Sequence, residues 1–176
     1  MLLKELKSLK LSNTLISIDR DCHDEELTGF ILEANKNFIV MSLFSEDGAF
    51  DGFSLFETEQ VEEVYWGNKE HNCIKALIKD SEVKKLRKLK STIFKNVILE
   101  MNSDYSSLNI YTHHNESKFE VAEIISSGNG WLKVLTFGAK RSLSRLNKLI
   151  QFDSISRVDF NSPYQNNIVK LHESDL

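Results

Sequence analysis

The sequence has little of the residues that cross-link, kink or sharply bend a chain. Its 176 residues include one proline, two cysteines and seven glycines. Cys22 and Cys73 form no CxxC pair and cannot build a disulfide framework, which indicates a reducing compartment. A glycine-rich phosphate loop and a GxSxG elbow are also missing. We therefore expect neither a secreted disulfide scaffold nor an enzyme of the common nucleotide-binding or hydrolase types.

Long apolar runs are missing as well. No run approaches the roughly 20 residues that cross a bilayer. The N-terminal segment MLLKELKSLKLS is too charged for the apolar core of a signal peptide. With 41% hydrophobic and 27% charged residues, the composition is typical of a globular protein. These features predict a soluble, cytoplasmic protein without a membrane partner.

Charge is distributed unevenly along the chain, although the formal net charge is only −4. Residues 1–78 carry 15 acidic and 7 basic side chains, whereas residues 79–176 carry 11 acidic and 15 basic ones. This asymmetry predicts partners that differ between the two halves, or halves that attract one another. Chance combined with one basic helix would produce the same asymmetry, so both interpretations stay open.

The apolar pattern of the first half recurs 94 residues later, as from Val64 to Val158. With this distance and no gap, eight of the residues from Leu27 to Leu77 are identical to their counterparts 94 positions later. Turn residues stay in step too, as in VEEVYWGNKE, which begins at Val61, and ISRVDFNSPY, which begins at Ile155. We therefore predict that one fold occurs twice in tandem.

Each copy contains five short segments with the composition and spacing of β-strands. FIVMSLF and WLKVLTF, for example, are rich in β-branched and aromatic residues. Five strands are too few for a sandwich and favour a small bent barrel. The predicted class is mainly β with flanking helices (α+β), with two tandem five-stranded barrels, each preceded or followed by a short helix. The predicted parts are a first barrel with an N-terminal helix (1–79), a basic linking helix (80–96) and a second barrel with a C-terminal helix (97–176).

A helix followed by five bent strands, with a tight corner before the last strand, resembles the Sm-like (SH3-type) small barrel. Asp51-Gly52-Phe53 is similar to the Asp/Asn-Gly signature of RNA-binding Sm proteins, whereas the second copy has Arg145-Leu146-Asn147 there. In size, acidity and architecture, the chain also resembles small bacterial immunity proteins that neutralise a cognate toxin, including those of contact-dependent inhibition systems. The first resemblance implies binding of nucleic acid, and the second implies binding of a protein.

The segment DCHDEE (Asp21–Glu26) holds a thiol, an imidazole and carboxylates, all of which can bind metal ions. Adjacent residues of an extended chain point to opposite sides, however, and four ligands must converge on one ion. The segment aligns with a polar turn after His113-His114, so we interpret it as a solvated turn. No carboxylate pair has an obvious acid/base companion. We therefore predict no catalytic residue, no metal and no cofactor, and a protein that is not an enzyme.

Carboxylates are concentrated in the later loops and the last strand of the first copy, next to the phenylalanines of FDGF (Phe50–Phe53). Acidic groups around an exposed aromatic ring suit a basic partner, such as a nuclease with a cationic cleft. A well-solvated barrel whose phenylalanines face inward would show the same pattern. The predicted partner-binding residues are Glu46, Asp47, Asp51, Phe53, Glu57, Glu59, Glu62 and Glu63.

Basic residues form two clusters that favour a different partner. A cationic helix and a cationic loop could hold a phosphate backbone. Our leading prediction is a cytoplasmic bacterial immunity protein that neutralises a basic, nuclease-like toxin. An Sm-like nucleic-acid-binding protein and a self-assembling scaffold are the alternatives, and the oligomeric state stays open. The nucleic-acid candidates are Lys84, Lys85, Arg87, Lys88, Lys140, Arg141, Arg145 and Lys148.

Overall fold

A computed structural model describes residues 1–21, 23–114, 117–138 and 144–174. The chain divides into two compact units, Met1–Phe94 and Lys95–Leu176. Strands dominate both units, and every strand pairing within a unit is antiparallel, so the predicted mainly β (α+β) class is confirmed. Among the described residues, no helix has the length and apolar character needed to span a bilayer.

The first unit begins with a helix, continues with five strands and ends with a second helix and an irregular segment. Its strands hydrogen-bond in the order β5-β1-β2-β3-β4. A short 3-10 turn, Thr58–Gln60, separates β4 from β5 and forms the tight corner expected from the sequence. The elements are α1 (Leu2–Leu11), β1 (Ile16–Arg20), β2 (His23–Ala34), β3 (Phe38–Phe44), β4 (Phe50–Glu57), β5 (Val61–Trp66) and α2 (Lys69–Leu77).

The second unit repeats this arrangement element by element. Its strands hydrogen-bond in the order β10-β6-β7-β8-β9, and a 3-10 turn, Phe152–Ser154, again precedes the last strand. In neither unit does a pairing between described residues join the fourth strand to the fifth, so closure of the barrels stays a prediction. The elements are α3 (Phe94–Tyr105), β6 (Leu108–Thr112), β7 (Phe119–Gly128), β8 (Trp131–Thr136), β9 (Asn147–Gln151), β10 (Ile155–Phe160) and α4 (Pro163–Glu173).

Strand register corrects the gap-free alignment of the two copies. Ile31 of β2 pairs with Met41 of β3, and Ile124 of β7 pairs with Val134 of β8, so these strands repeat after 93 residues rather than 94. A bulge follows Ile31 and Ile124 in the same place. Phe38 pairs with Glu57, and Trp131 pairs with Gln151, so the paired positions on the third and fourth strands are one residue farther apart in the second unit. From there the predicted distance of 94 holds.

The core of the first unit lies between α1 and one face of its sheet, which we call the inner face. Leu6 and Leu9 project from one side of α1, and both are buried, as the helical spacing of the leucines predicts. They pack against apolar residues that alternate along the strands with a period of two. Burial of each large aliphatic side chain contributes about 1.5–3 kcal/mol relative to exposure. The inner-face residues of this cluster include Ile16, Ile18, Leu27, Ile31, Ile39, Met41, Leu43 and Phe56.

The predicted basic linking helix over residues 80–96 is wrong. Residues 80–82 form a 3-10 turn, residues 83–92 contain no helix, and α3 begins only at Phe94. We call residues 83–92 the strap. A helix there would place Lys84 and Lys88 one turn apart, where like charges repel. Instead, the Asn37 side-chain amide donates to the Thr92 carbonyl at 2.6 Å, and the strap belongs to the first unit rather than to a separate linker.

Gly29 of β2 provides a test of the sheet geometry. A Cβ atom at this position would lie 1.9 Å from the backbone oxygen of Ser42 on β3. We expect Gly29→Ala to destabilise the first unit by about 1–3 kcal/mol, because β2 and β3 would have to move apart. Gly128→Ala is the matched control, because a Cβ there meets no atom within 4 Å. Urea denaturation, monitored by circular dichroism, measures the free energy of unfolding of both variants. If Gly29→Ala were as stable as the wild type, the β2–β3 register would be contradicted.

Candidate functional site

Helix α2 lies on the outer face of the first sheet, opposite α1. Ser17 of β1 pairs with both Thr28 of β2 and Tyr65 of β5, so these three side chains share that face. The Asn68 side chain caps α2 by accepting from the backbone N–H of His71 at 2.7 Å. The imidazole of His71 is 4% exposed, and its Nε2 lies 3.0 Å from Ser17 Oγ. One hydrogen bond therefore joins α2 to the middle of the sheet.

A polar network spreads from this contact to Glu26. Ser17 Oγ lies 2.7 Å from Thr28 Oγ1, which donates to Glu26 Oε1 at 2.8 Å. Partial burial would raise the pKa of Glu26, but hydrogen bonds from Ser17, Tyr65 and Thr28, together with the nearby His71, hold that pKa below its ordinary value. Burial, the hydrogen bond to Glu26 and the neighbouring carboxylates raise the pKa of Tyr65. Glu26 is therefore ionised and Tyr65 is a neutral donor at neutral pH.

Serine, histidine and glutamate are the residue types of a catalytic triad, but their geometry here is not catalytic. Ser17 is 1% exposed, so a substrate cannot reach its hydroxyl group. The Nδ1 atom of His71 has no described partner, whereas a catalytic histidine is oriented by an acid at that nitrogen. Glu26 instead accepts from Thr28 and Tyr65. The network fixes α2 and orients Glu26.

Next to this network, carboxylates surround a pocket of about 250 Å³ between α2, the start of β2 and the β3–β4 turn. We call it the acidic pocket. Its apolar wall is formed by Leu27, Leu43, Phe44 and Ile74. Two of the predicted residues, Glu46 and Asp51, line it, and three further carboxylates come from β2 and α2. The five acidic residues are Glu25, Glu26, Glu46, Asp51 and Glu70.

The other predicted carboxylates do not reach the acidic pocket. Asp47 lies in the β3–β4 turn, where hydrogen bonds from the Ser45 hydroxyl group, at 2.5 Å, and from the backbone of Ala49 lower its pKa. The remaining four lie at or after the end of β4 and are far from the turn along the strand. We call them the β5 group, and they are Glu57, Glu59, Glu62 and Glu63.

Phe53 is not the exposed aromatic anchor that the sequence suggested. It is 1% exposed and packs edge-on against Phe50, with ring centroids 5.1 Å apart. A bulge explains the error. Leu43 pairs with Gly52 and Phe44 pairs with Phe50, so the register of the strand pairing skips Asp51. Asp51 is therefore exposed, whereas its neighbours in the chain are buried. Alternation along FDGF therefore could not predict which side chains face solvent.

The β5 group lies beside a repulsive pairing. Asp19 of β1 stands directly opposite Glu63 of β5, a position where like charges destabilise a sheet. Among the described residues, β5 pairs with β1 only, and Trp66 at its end is 43% exposed. This edge is a second acidic surface, with an exposed aromatic ring that the sequence did not single out.

The structure separates the two clusters of basic candidates. Lys84, Lys85, Arg87 and Lys88 are exposed, but on the strap rather than on a helix. In the second unit, two of the candidates are neutralised by neighbouring carboxylates. Arg145 pairs with Glu123 at 2.8 Å and stacks on Phe137, 4.1 Å from the ring centroid, and Lys148 pairs with Glu120. Lys140 and Arg141 lie outside the described residues.

Metal binding finds no support in the part of the chain that the structure describes, where no three His, Cys, Asp or Glu side chains form a cluster that could hold an ion. Cys22 of the DCHDEE segment lies outside the described residues, and Cys73 is exposed on α2.

No protein-family model, no curated protein and no solved structure matches the chain. Its function must therefore be inferred from its own geometry.

The Glu26 network predicts a pH-dependent stability. Since the pKa of Glu26 is lowered from 4.5 on folding, its contribution is present above pH 4.5 and is lost as the pH falls through the folded-state pKa. We expect Glu26→Gln to lower the Tm by a few degrees at pH 7, and the difference from wild type to shrink below about pH 4. Thermal melts at several pH values measure it, with Glu62→Gln as the exposed control; a pH-independent difference would contradict the role of the ionised carboxylate.

Proposed function

We propose that the chain is a non-catalytic protein-binding module of the bacterial immunity type, which neutralises a basic, nuclease-like toxin in the cytoplasm. The acidic pocket carries this proposal. It combines five carboxylates with an apolar wall, which suits the long stem and cationic end of a lysine or arginine side chain. An arginine from the partner would bind a carboxylate through two parallel hydrogen bonds and pack its methylene groups on Phe44 and Ile74.

The charge of the surrounding surface supports a basic partner. Residues 1–78 together carry an excess of eight negative charges. Such a field accelerates encounter with a cationic protein and disfavours acidic competitors. The repulsive pairing of Asp19 with Glu63 adds two carboxylates to this field.

The fold resemblance is part of the same proposal. Both units have the strand order 5-1-2-3-4, an initial helix and a 3-10 turn before the last strand. These features support a tandem pair of Sm-like (SH3-type) small barrels. Small barrels bind their partners through surface residues, and the buried Ser17 agrees with a function in binding rather than catalysis.

Nucleic-acid binding is the second candidate, and the strap favours it. Lys85 and Lys88 are exposed, and their ammonium groups have no ion-pair or hydrogen-bond partner among the described residues. A salt titration of RNA binding distinguishes this candidate, because each phosphate contact steepens the loss of affinity with salt.

The scaffold alternative loses its electrostatic basis, since residues 95–176 contain nine acidic and nine basic side chains and are not a basic half. The positive charge of the second half belongs mainly to residues 79–94.

Charge reversal tests the acidic pocket. We expect the triple variant Glu46→Lys, Asp51→Lys, Glu70→Lys to lose binding to a basic partner by at least 100-fold, because three carboxylates around one cation are replaced by repulsive groups. The candidate partner is any basic toxin encoded by a neighbouring gene. The measurements are its affinity by calorimetry and growth protection on co-expression.

The matched control is Glu59→Lys, Glu62→Lys, Glu63→Lys, which changes the net charge equally at the β5 group. It should reduce affinity only several-fold, through weaker long-range attraction. Protection that survives both variants would refute an acidic binding surface. Loss in the second variant alone would move the site to the edge of β5.

A further inference from the structure

A larger cavity, of about 670 Å³, lies beneath the strap and away from the acidic pocket. Its volume falls within the roughly 300–1,000 Å³ of typical small-molecule sites. The sheet contributes Leu32 of β2 and Phe38 of β3, and the strap contributes Leu86 and Leu89. The cavity therefore has an apolar interior, although it is bordered by the most basic segment of the chain.

The strap spans this cavity because it is fixed near both ends. At one end, the Glu82 carboxylate accepts from the backbone N–H of Phe50 at 3.2 Å, and at the other the Asn37 amide donates to the Thr92 carbonyl. Phe50 lies at the start of β4, and Asn37 precedes β3, so the anchors lie at opposite ends of the β3–β4 pair. The strap thus runs along the strand pair and leaves a gap between its leucines and the sheet.

Positive charge dominates the border of the cavity. Lys85, Arg87 and Lys88 of the strap line it, and in the described part of the chain the ammonium groups of Lys85 and Lys88 have neither an ion-pair nor a hydrogen-bond partner. The one carboxylate in the lining, Glu33, is paired with Lys10 at 3.1 Å and is therefore neutralised. An anionic group at the border would meet uncompensated lysines, while an apolar body would fill the interior.

We propose that this cavity binds a small anionic amphiphile, an acyl or aryl group that ends in a carboxylate, sulfonate or phosphate. Burial of the apolar body against Leu32, Leu86 and Leu89 favours binding because it removes apolar surface from water. Lys85 and Lys88 select the charged head group. Single-stranded nucleic acid fits less well, because the strap has no aromatic side chain for stacking and Phe38 is 1% exposed. This proposal is independent of the acidic pocket.

The test uses the full chain and two probes, the fluorescent aryl sulfonate 1-anilinonaphthalene-8-sulfonate and monomeric laurate as its competitor. We expect saturable binding at one site and displacement by laurate. Lys85→Glu with Lys88→Glu should weaken both at least tenfold and leave thermal melting unchanged, because both side chains are exposed. Leu86→Ser with Leu89→Ser should weaken both by removing part of the apolar interior.

The matched control is Lys4→Glu with Lys7→Glu, which makes the same charge change on the exposed side of α1. It should alter affinity less than twofold. Equal weakening by the control, or no saturable binding of either probe, would overturn the proposal. Binding of laurate only in anionic vesicles would indicate a membrane surface instead. Tighter binding of a thymidine oligonucleotide, with the same dependence on Lys85 and Lys88, would indicate nucleic acid. Either of these results would also overturn the proposal.

Discussion

The acidic pocket depends on the hydrogen bond between His71 of α2 and Ser17 of β1. This contact is buried, so its loss would leave polar atoms without partners in a dry environment, at a cost of about 1–3 kcal/mol. At the other end of α2, Gly48 permits close approach, since a Cβ there would lie 2.7 Å from the backbone of Leu77. Fixed at both ends, α2 holds Glu70 and Ile74 over the sheet and so forms one wall of the pocket.

Local patterns were sufficient to predict most of the secondary structure. Apolar alternation, turn residues and the caps at Asn68 and Ser162 are properties of a few neighbouring residues, and the strands, corners and flanking helices follow from them. The strap could not be predicted in this way. Its leucines recur at helical spacing, but contacts with Phe50 and Asn37, which are distant in sequence, decide its conformation.

The site was predicted only in part, because its residues come from three separate segments. Glu46 and Asp51 were identified by their density of charge in one loop, whereas Glu25, Glu26 and Glu70 join them only through the packing of α2 on the sheet. The burial of Phe53 shows the same limit. One bulge exposes Asp51 and breaks the period of two on which any inference about facing side chains depends.

The two cavities of the first unit can act independently although their charges are opposite. The acidic pocket includes Phe44 at the end of β3, and the cavity beneath the strap includes Phe38 at its beginning. Six residues of strand separate them, or about 20 Å. The Debye length at physiological ionic strength is about 8 Å, so most of the attraction between a basic strap and an acidic pocket at that distance is screened. A cation at one end and an anion at the other therefore need not compete, and occupation of one site leaves the electrostatic selectivity of the other nearly unchanged.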